Sequence, residues 1–442
     1  MDILAKELKQ EFIKELLATG GYIHVKDGHE LQLYRYDINK GLWEPATKYE
    51  LKRQVNAFKK LDRYETLEGI SWIPDDILDT APIYTIEEVR RKSERHKPKA
   101  HFGNGTFDFI QKQRSPHDQE NFFFGGRSYN LDEIPRDEPL QTELWFKDLF
   151  KKQSTFMMEF IGYCFFRSYV SFKVIVILLA TNDKGKSLFF NWLSGILGQE
   201  NVSVVTPAML SKATPKELYT LLHGKDAVYY PDITGIKDVD TGTLNVLSGD
   251  DIITTQTPAG TLYNFRNTAK LIFGSNELPA FDPGSLKERV QFVEMHDIPN
   301  FESYSFKEII GEYGAFAFKC IQAFLKAWER HSMTVTTQMN SLRLQWLENI
   351  EHPETKDKPV LPKRKTVSKE MNDLNQKRRE KAQEQLRKAF EELSPDNEPV
   401  KVSQLAKVCQ VANKTIYARI KVSRDFTVSD GLIYKNDNSN DK

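Results

Sequence analysis

The chain has 442 residues with 62 Lys and Arg against 62 Asp and Glu, so the net charge is zero and any nucleic-acid affinity has to come from local patches. That length predicts about two to four domains with room for a sizeable core. Three scattered cysteines, Cys164, Cys320 and Cys409, with no CxxC and no histidine cluster, point to a reducing cytoplasm and away from zinc. The longest apolar run, Val174 to Ala180, is far too short for a bilayer, and the charged, helix-spaced N-terminus MDILAKELKQEFIKELL is no signal peptide. A soluble cytoplasmic protein with no membrane partner is expected.

Residues 1–100 read as a small mixed domain. A helix to Leu17 precedes strands around Tyr22 to Val25 and Leu31 to Tyr36, followed by an Asn-Lys-Gly turn. Tyr34, Tyr36 and Trp43 are either a stacking platform for bases or the filling of a small core. The basic stretch from Ile86 to Lys99 reads as a solvated helix face ending at Pro98 rather than as a DNA contact. Asn104-Gly105 marks a tight turn before a short strand to Ile110, and an aromatic run follows at Phe122 to Phe124. From Glu143 to Tyr169 the apolar positions keep helical period, with Trp145, Phe146, Leu149, Phe150, Phe156, Phe160 and Phe165 in stripes. These helices form a structural collar or an oligomerisation surface.

The run VIVILLATNDKGKS then passes from a β-branched strand into a turn that opens a helix. It reads as a phosphate-binding loop, with Thr181, Asn182, Asp183, Lys184, Gly185, Lys186, Ser187 and Leu188 cradling a nucleotide. Lys186 would reach the β and γ phosphates and Ser187 would hold magnesium. The first glycine of GxxxxGK[ST] is replaced by Ala180; a β carbon in a left-handed conformation costs roughly 1 kcal/mol or more, so another backbone path is an alternative.

Downstream, DAVYYPDITG gives a strand ending in Asp232. Two strands surround Pro258-Ala259-Gly260, and a third, from Lys270 to Gly274, ends in Ser275 and Asn276. Arg289 precedes another apolar strand, and Ser305 to Trp328 is an amphipathic helix. Strands alternating with helices imply a parallel sheet with functional groups at its carboxyl ends. Nucleotide hydrolysis needs an acid near magnesium, a polar group near the γ-phosphate and positive charge on the transition state. Asp232, which would also help hold the metal, Asn276, and Arg289 as an arginine finger from a neighbouring subunit supply these. The bland alternatives are a solvated strand end for Asp232, a turn residue for Asn276 and a surface ion pair with Glu288 or Asp282 for Arg289.

A Pro- and Lys-rich linker covers 351–378. The segment 379–442 then shows a charged helix to Leu393, helices opened by Ser403 and Asn413, and a hairpin at Asp430-Gly431. That order describes a winged helix. It carries Lys401, Lys407, Lys414, Arg419, Lys421 and Arg424, and in its second helix Asn413, Lys414, Thr415, Tyr417 and Arg419 suit contacts to phosphates and base edges in duplex DNA. A protein-interaction module is the alternative.

Taken in order, FGNGTFDF, the aromatic run, GKS, LSGDDI, TAKLIFGSNELP and KERVQFV resemble the superfamily-3 helicases of phages, plasmids and poxviruses, in their primase-helicase branch. The appended winged helix makes the chain similar to the replication initiators of staphylococcal pathogenicity islands and related mobile elements. The resemblance implies an α/β fold with an AAA+-like P-loop ATPase core at 171–350, an N-terminal α+β domain at 1–135 and a helical collar at 136–170, ahead of the linker and the C-terminal winged helix. It implies a homohexameric ring using ATP and Mg2+, moving 3′ to 5′ on single-stranded DNA, recognising a replication origin and working with host replication proteins. The two strands around Pro258 would track DNA; their turn lacks the usual lysine, which leaves Arg266 and Lys270 as the nearest cations. Pro231 replaces a first acidic residue, so Asp232 would serve both magnesium and the attacking water. The rival functions are an ATP-switched DNA-binding regulator without translocation, and a primase-helicase.

Overall fold

The computed structural model describes residues 2–18, 20–61, 64–65, 71–95, 98–133, 139–180, 185–237, 239–298, 304–351, 383–396, 398–409, 411, 413–421, 423, 425–429 and 431–436. The chain divides into two compact units, 1–356 and 357–442. Most of the expected linker lies outside the described residues.

The first unit opens with α1 (Asp2–Ala18), β1 (Tyr22–Asp27), β2 (Glu30–Asp37) and β3 (Leu42–Pro45), then α2 (Lys48–Lys59), α3 (Ile73–Thr80), β4 (Ile83–Thr85) and α4 (Ile86–Arg95). β1 to β3 form an antiparallel meander and β4 returns parallel to β1. Thr47 and Glu50 close a capping box that starts α2 where the strand pattern stops. Tyr36 and Trp43 sit in a small core with Ile23, Val25, Val89 and Phe122, so they fill the domain. Tyr34 alone of the three is half-exposed.

A second meander, β5 (Lys99–Phe102), β6 (Gly105–Asp108) and β7 (Gln113–Ser115), turns at Asn104-Gly105. The Asn104 amide pins the following segment by donating to the Leu131 carbonyl and accepting from the Leu131 N–H. Next come α5 (Gln141–Phe150) and α6 (Ser154–Phe165). Their aromatic stripes pack into the main core with the sheet described next.

The centre of the unit is built from β8 (Ile175–Leu179), α7 (Lys186–Leu197), β9 (Val202–Val204), α8 (Pro207–Lys212), α9 (Pro215–Leu222), β10 (Ala227–Tyr230), α10 (Thr241–Leu247), the hairpin β11 (Ile252–Gln256) and β12 (Leu262–Arg266), β13 (Lys270–Ser275) and β14 (Val290–Glu294). Five strands form one sheet in the order β14-β8-β13-β10-β9, every neighbouring pair parallel. All five residues of β8 are buried, as a strand covered on both faces requires. Val176, Leu178, Ile272 and Val293 face α5, α6, α7 and α12 (Tyr313–Glu329). Ile175, Ile177, Phe273 and Phe292 face α9, α10, the hairpin and α13 (Thr337–Glu351). This is a mixed α/β body around a parallel sheet.

The helix expected over Ser305 to Trp328 is broken. α11 (Phe306–Gly311) stops at Glu312 and α12 restarts. The Glu312 carboxylate leaves the helix line to accept the Gln141 and Thr142 N–H groups at 3.0 and 2.8 Å, which caps the free donors at the start of α5.

The second unit comprises α14 (residues 383–393), β15 (Val400–Lys401), α15 (Val402–Val408), α16 (Asn413–Lys421), β16 (Phe426–Ser429) and β17 (Leu432–Lys435). Its antiparallel sheet runs β15-β17-β16 over a core of Leu386, Phe390, Leu405, Ile416, Phe426 and Ile433. Asp430, in the expected hairpin turn, lies outside the described residues.

At the amino ends of the central strands the sheet keeps buried charge. Asp226, just before β10, is shared by Arg127 and by Arg167, whose Nε is 3.2 Å away. Lys270 opens β13 and is fully buried. Its ammonium donates to the carbonyls of Phe166 and Thr268 at 2.9 and 2.7 Å and lies over the rings of Tyr163 and Tyr169. The expected DNA contact by Lys270 is thereby corrected: its charge is spent inside the protein, below the hairpin and away from solvent.

Burial pushes the Lys270 ammonium down to about 7, whereas an unfolded lysine holds its proton to about 10.4. Because the folded value is lowered, the unfolded chain binds more protons between the two, and stability rises with pH across that window. The stability of the wild type relative to Lys270→Met is therefore expected to climb from about pH 7 to about pH 9, by at most about 1.4 kcal/mol per pH unit. Urea unfolding across that range measures it, and a difference independent of pH would refute it.

Candidate functional site

Since β8, β13 and β10 are adjacent and parallel, the residues that follow them emerge side by side at one edge of the sheet. Gly274 brings β10 and β13 closer than side chains allow. A β carbon there would stand 2.0 Å from the Pro231 carbonyl oxygen, and the Gly274 carbonyl accepts the Ile233 N–H at 2.7 Å. Asp232 is consequently drawn against Asn276.

Three side chains meet there. The Lys186 ammonium, in the first turn of α7, donates to the Ala180 carbonyl at 2.7 Å and to Asn276 Oδ1. Asn276 Nδ2 donates to Asp232 Oδ2 at 2.9 Å. Charge sets the amide's orientation, for only its oxygen can accept from an ammonium and only its NH2 can donate to a carboxylate. Asn276 thus relays between a cation and an anion.

Thr234 locks the arrangement. Its N–H donates to Asp232 Oδ1 at 2.9 Å, its hydroxyl donates to the same oxygen, and the hydroxyl oxygen accepts the Asn276 N–H at 2.9 Å. Sequence reasoning passed over this residue. Its signal was the Asp-x-Thr spacing, the signature of an Asx turn in which the carboxylate bonds the backbone two residues on.

The electrostatics follow from these contacts. Partial burial raises the Asp232 carboxyl, but the Thr234 bonds, the Lys186 charge and the Asn276 amide outweigh it and hold the group below the ordinary carboxylate value. Burial lowers the Lys186 ammonium, and the Asp232 charge opposes that shift. The pair is best satisfied as lysine cation and aspartate anion.

α7 starts at Gly185, whose φ of +79° suits glycine and whose missing β carbon faces open space. Among the described residues no side chain caps this helix start, and the first amides of a helix suit an anion. Ser187 is exposed in the first turn and Leu188 is half-buried. Thr181, Asn182, Asp183 and Lys184 lie outside the described residues. Ala180 raises no strain: it is not among the residues with positive φ, it is buried, and its N–H bonds the Ser275 carbonyl at 2.9 Å. It prolongs β8 by one step, and the left-handed turn falls at Gly185 instead.

Arg289 is elsewhere. It stands at the amino end of β14, and five strand residues at about 3.3 Å each put it roughly 16 Å from the carboxyl edge. There its guanidinium donates to the Asn245 carbonyl and to Ser248 Oγ at 3.0 Å. Glu288 pairs instead with Arg343, and the carboxylate that acts on the Arg289 charge is Asp251.

The hairpin alternates. Ile253, Thr255, Tyr263 and Phe265 point inward, while Ile252, Thr254, Gln256, Leu262, Asn264 and Arg266 point outward. Arg266 is bonded to Asp250 through the backbone carbonyl and, at 3.4 Å, the carboxylate. At the tip, Thr257 Oγ1 donates to Asp27 Oδ1 at 2.7 Å, tying the turn to the β1–β2 loop.

In the second unit Asn413 and Tyr417 are exposed on α16. Arg419 donates to Gln385 Oε1 at 3.1 Å, which holds it toward α14. The side chains of Lys414, Thr415 and Lys421 lie outside the described residues. Among the described residues no cluster of three or more His, Cys, Asp or Glu forms a metal cage, and no helix is long and apolar enough to cross a membrane.

No family profile matches the chain, and no curated protein does. Among solved structures, it is similar to an A-form apo structure of the NrS-1 C-terminal region at 12% identity, with a TM-score of 0.46 over 96% of this chain and 98% of that one. A second apo structure of the same region gives 13% identity and a TM-score of 0.44 over 96% and 97%. At these values the likeness assigns neither a fold family nor an activity.

Proposed function

We propose that the chain is an ATP-hydrolysing replicative DNA helicase and replication initiator of a mobile genetic element. It has an AAA+-like P-loop core and a C-terminal winged helix, and it works in the cytoplasm as a homohexameric ring. The observation that carries the proposal is the Lys186–Asn276–Asp232 chain at the carboxyl ends of three adjacent parallel strands. The residues present suit ATP and Mg2+. An uncapped helix start and the Lys186 ammonium receive phosphate oxygens, and the exposed Ser187 hydroxyl and the Asp232 carboxylate hold magnesium, which keeps several waters when bound to phosphates. The metal supplies neutralisation of phosphate charge. Asp232 would orient water, and the Lys186 ammonium would exchange Asn276 Oδ1 for an oxygen of the incoming phosphate.

Arg289 is too far from the carboxyl edge of its own subunit to act there, so a catalytic role for it requires a second copy. α16, with Asn413 and Tyr417 exposed, is the recognition helix of the proposed winged helix at the origin, where host replication proteins join. One set of observations favours a second reading, an ATP-switched DNA-binding regulator without translocation. On the hairpin Arg266 is paired and the tip is bonded to Asp27, and Lys270, at the start of β13, is buried.

ATPase activity and unwinding of a forked duplex with a 3′ tail separate the readings. The helicase opens the fork with ATP, and Lys186→Ala lowers both activities by about 100-fold or more; ATPase without unwinding supports the regulator. Mixing Arg289→Ala with Lys186→Ala protein restores part of the ATPase if the arginine acts across subunits, and no recovery removes that role.

Two further outcomes test the edge itself. In Asn276→Ala the Asp232 carboxyl loses one of the bonds that lower it, so it protonates at higher pH and the acid limb of the ATPase profile moves upward. An unmoved limb means that Asp232 does not set it. Ala180→Gly relieves no strain and loosens a strand end, costing about 0.5–1 kcal/mol of stability in urea melts without raising turnover.

A further inference from the structure

A cleft of about 600 Å3 lies in the first unit between the N-terminal sheet and the inner side of the hairpin, within the usual range for ligand sites. One wall carries Tyr34 of β2 and Phe124; the other carries Tyr219 of α9 above His223. Phe124 is 38% exposed although Phe122 and Phe123 beside it are buried, and its ring meets Tyr34 edge-on at 5.0 Å. Tyr219 stacks on His223 with ring centroids 4.5 Å apart. Partly exposed aromatic faces thus look into one space from both sides.

The charged lining is one-sided. It comprises Arg90, Arg167, Lys225 and Arg266 against a single carboxylate, Glu200. Three of the cations have carboxylate partners: Arg90 with Glu87, Arg167 with Asp226 and Arg266 with Asp250. Lys225 differs. Its ammonium donates to the Glu200 backbone carbonyl at 2.6 Å, which leaves its charge uncompensated by that bond and two of its three donors for other acceptors.

Aromatic faces beside a lysine whose ammonium has donors to spare are what a base and its phosphate require. We propose that this cleft binds single-stranded nucleic acid, with a base against Phe124 and Tyr219 and the adjoining phosphate on Lys225. The site is separate from the carboxyl edge that holds Lys186. It rests on the nucleic-acid part of the proposed function but not on ATP hydrolysis or translocation. The Thr257–Asp27 bond joins the hairpin tip to the N-terminal sheet.

The test uses the full chain and an oligothymidylate carrying photoreactive 4-thiothymidine, with crosslinked peptides mapped by mass spectrometry and affinity read by fluorescence anisotropy. Crosslinks are expected on the peptides holding Phe124 or Tyr219. Phe124→Ala is expected to weaken binding about tenfold, and Lys225→Gln to weaken it and flatten its salt dependence. Lys225→Gln leaves the aromatic walls in place, so it reports on the cleft even if Phe124→Ala folds poorly. Crosslinks confined to residues 252–266 or 383–436, with both weakening variants binding normally, would overturn the cleft while leaving the helicase reading standing. Cleft labelling by thymidine monophosphate that no oligonucleotide competes away would also overturn it. Cleft crosslinks in a chain without unwinding activity would uphold it and remove the helicase instead.

Discussion

A parallel sheet buried on both faces constrains everything else in the first unit. β8 has no solvent-facing residue, so no polar group can be placed along it without an unpaired partner. Chemistry is confined to the two ends of the strands, and the two ends have been used differently. The amino ends hold charges satisfied internally, with Asp226 between Arg127 and Arg167 and with Lys270 capped by carbonyls and aromatic rings. The carboxyl ends hold charges that are bonded to one another yet face solvent.

That difference explains why one end is a candidate site and the other is not. Buried charge held by carboxylates, carbonyls and aromatic rings is closed off from solvent, and breaking such a network is expensive. The Lys186–Asn276–Asp232 chain is instead a set of weak commitments. Each member has a partner now, and an anion arriving at the start of α7 competes for the ammonium directly. The close approach at Gly274 makes the set possible, since a side chain there would push Asp232 away from Asn276.

Much of the site was legible locally. An apolar strand that ends in a polar residue announces its end, which points to Asp232 and Asn276, while the Gly185-Lys186-Ser187 turn into a helix points to Lys186. The aromatics of α5 and α6 were also readable as packing stripes. Other residues misled because the same letters serve two environments. Lys270 read as a surface cation since lysine is seldom buried; for Tyr36 and Trp43, by contrast, the core-filling reading is the one the structure fits. The GxxxxGK[ST] pattern asks for a glycine where Ala180 stands, but Ala180 has an ordinary φ and the left-handed conformation falls at Gly185.

By itself the sequence determined the element types, the parallel character of the central sheet and the residues at its strand ends. All of these follow from hydrophobic period, turn chemistry and chain order, and they act within a few residues. Only the tertiary structure decided which strand ends are neighbours, that Thr234 locks Asp232 to Asn276, that Lys270 is buried, and that Phe124 and Tyr219 share a cleft. Those facts depend on strand order and on depth of burial. They are set by pairings between segments tens to hundreds of residues apart, and no local pattern encodes such distances.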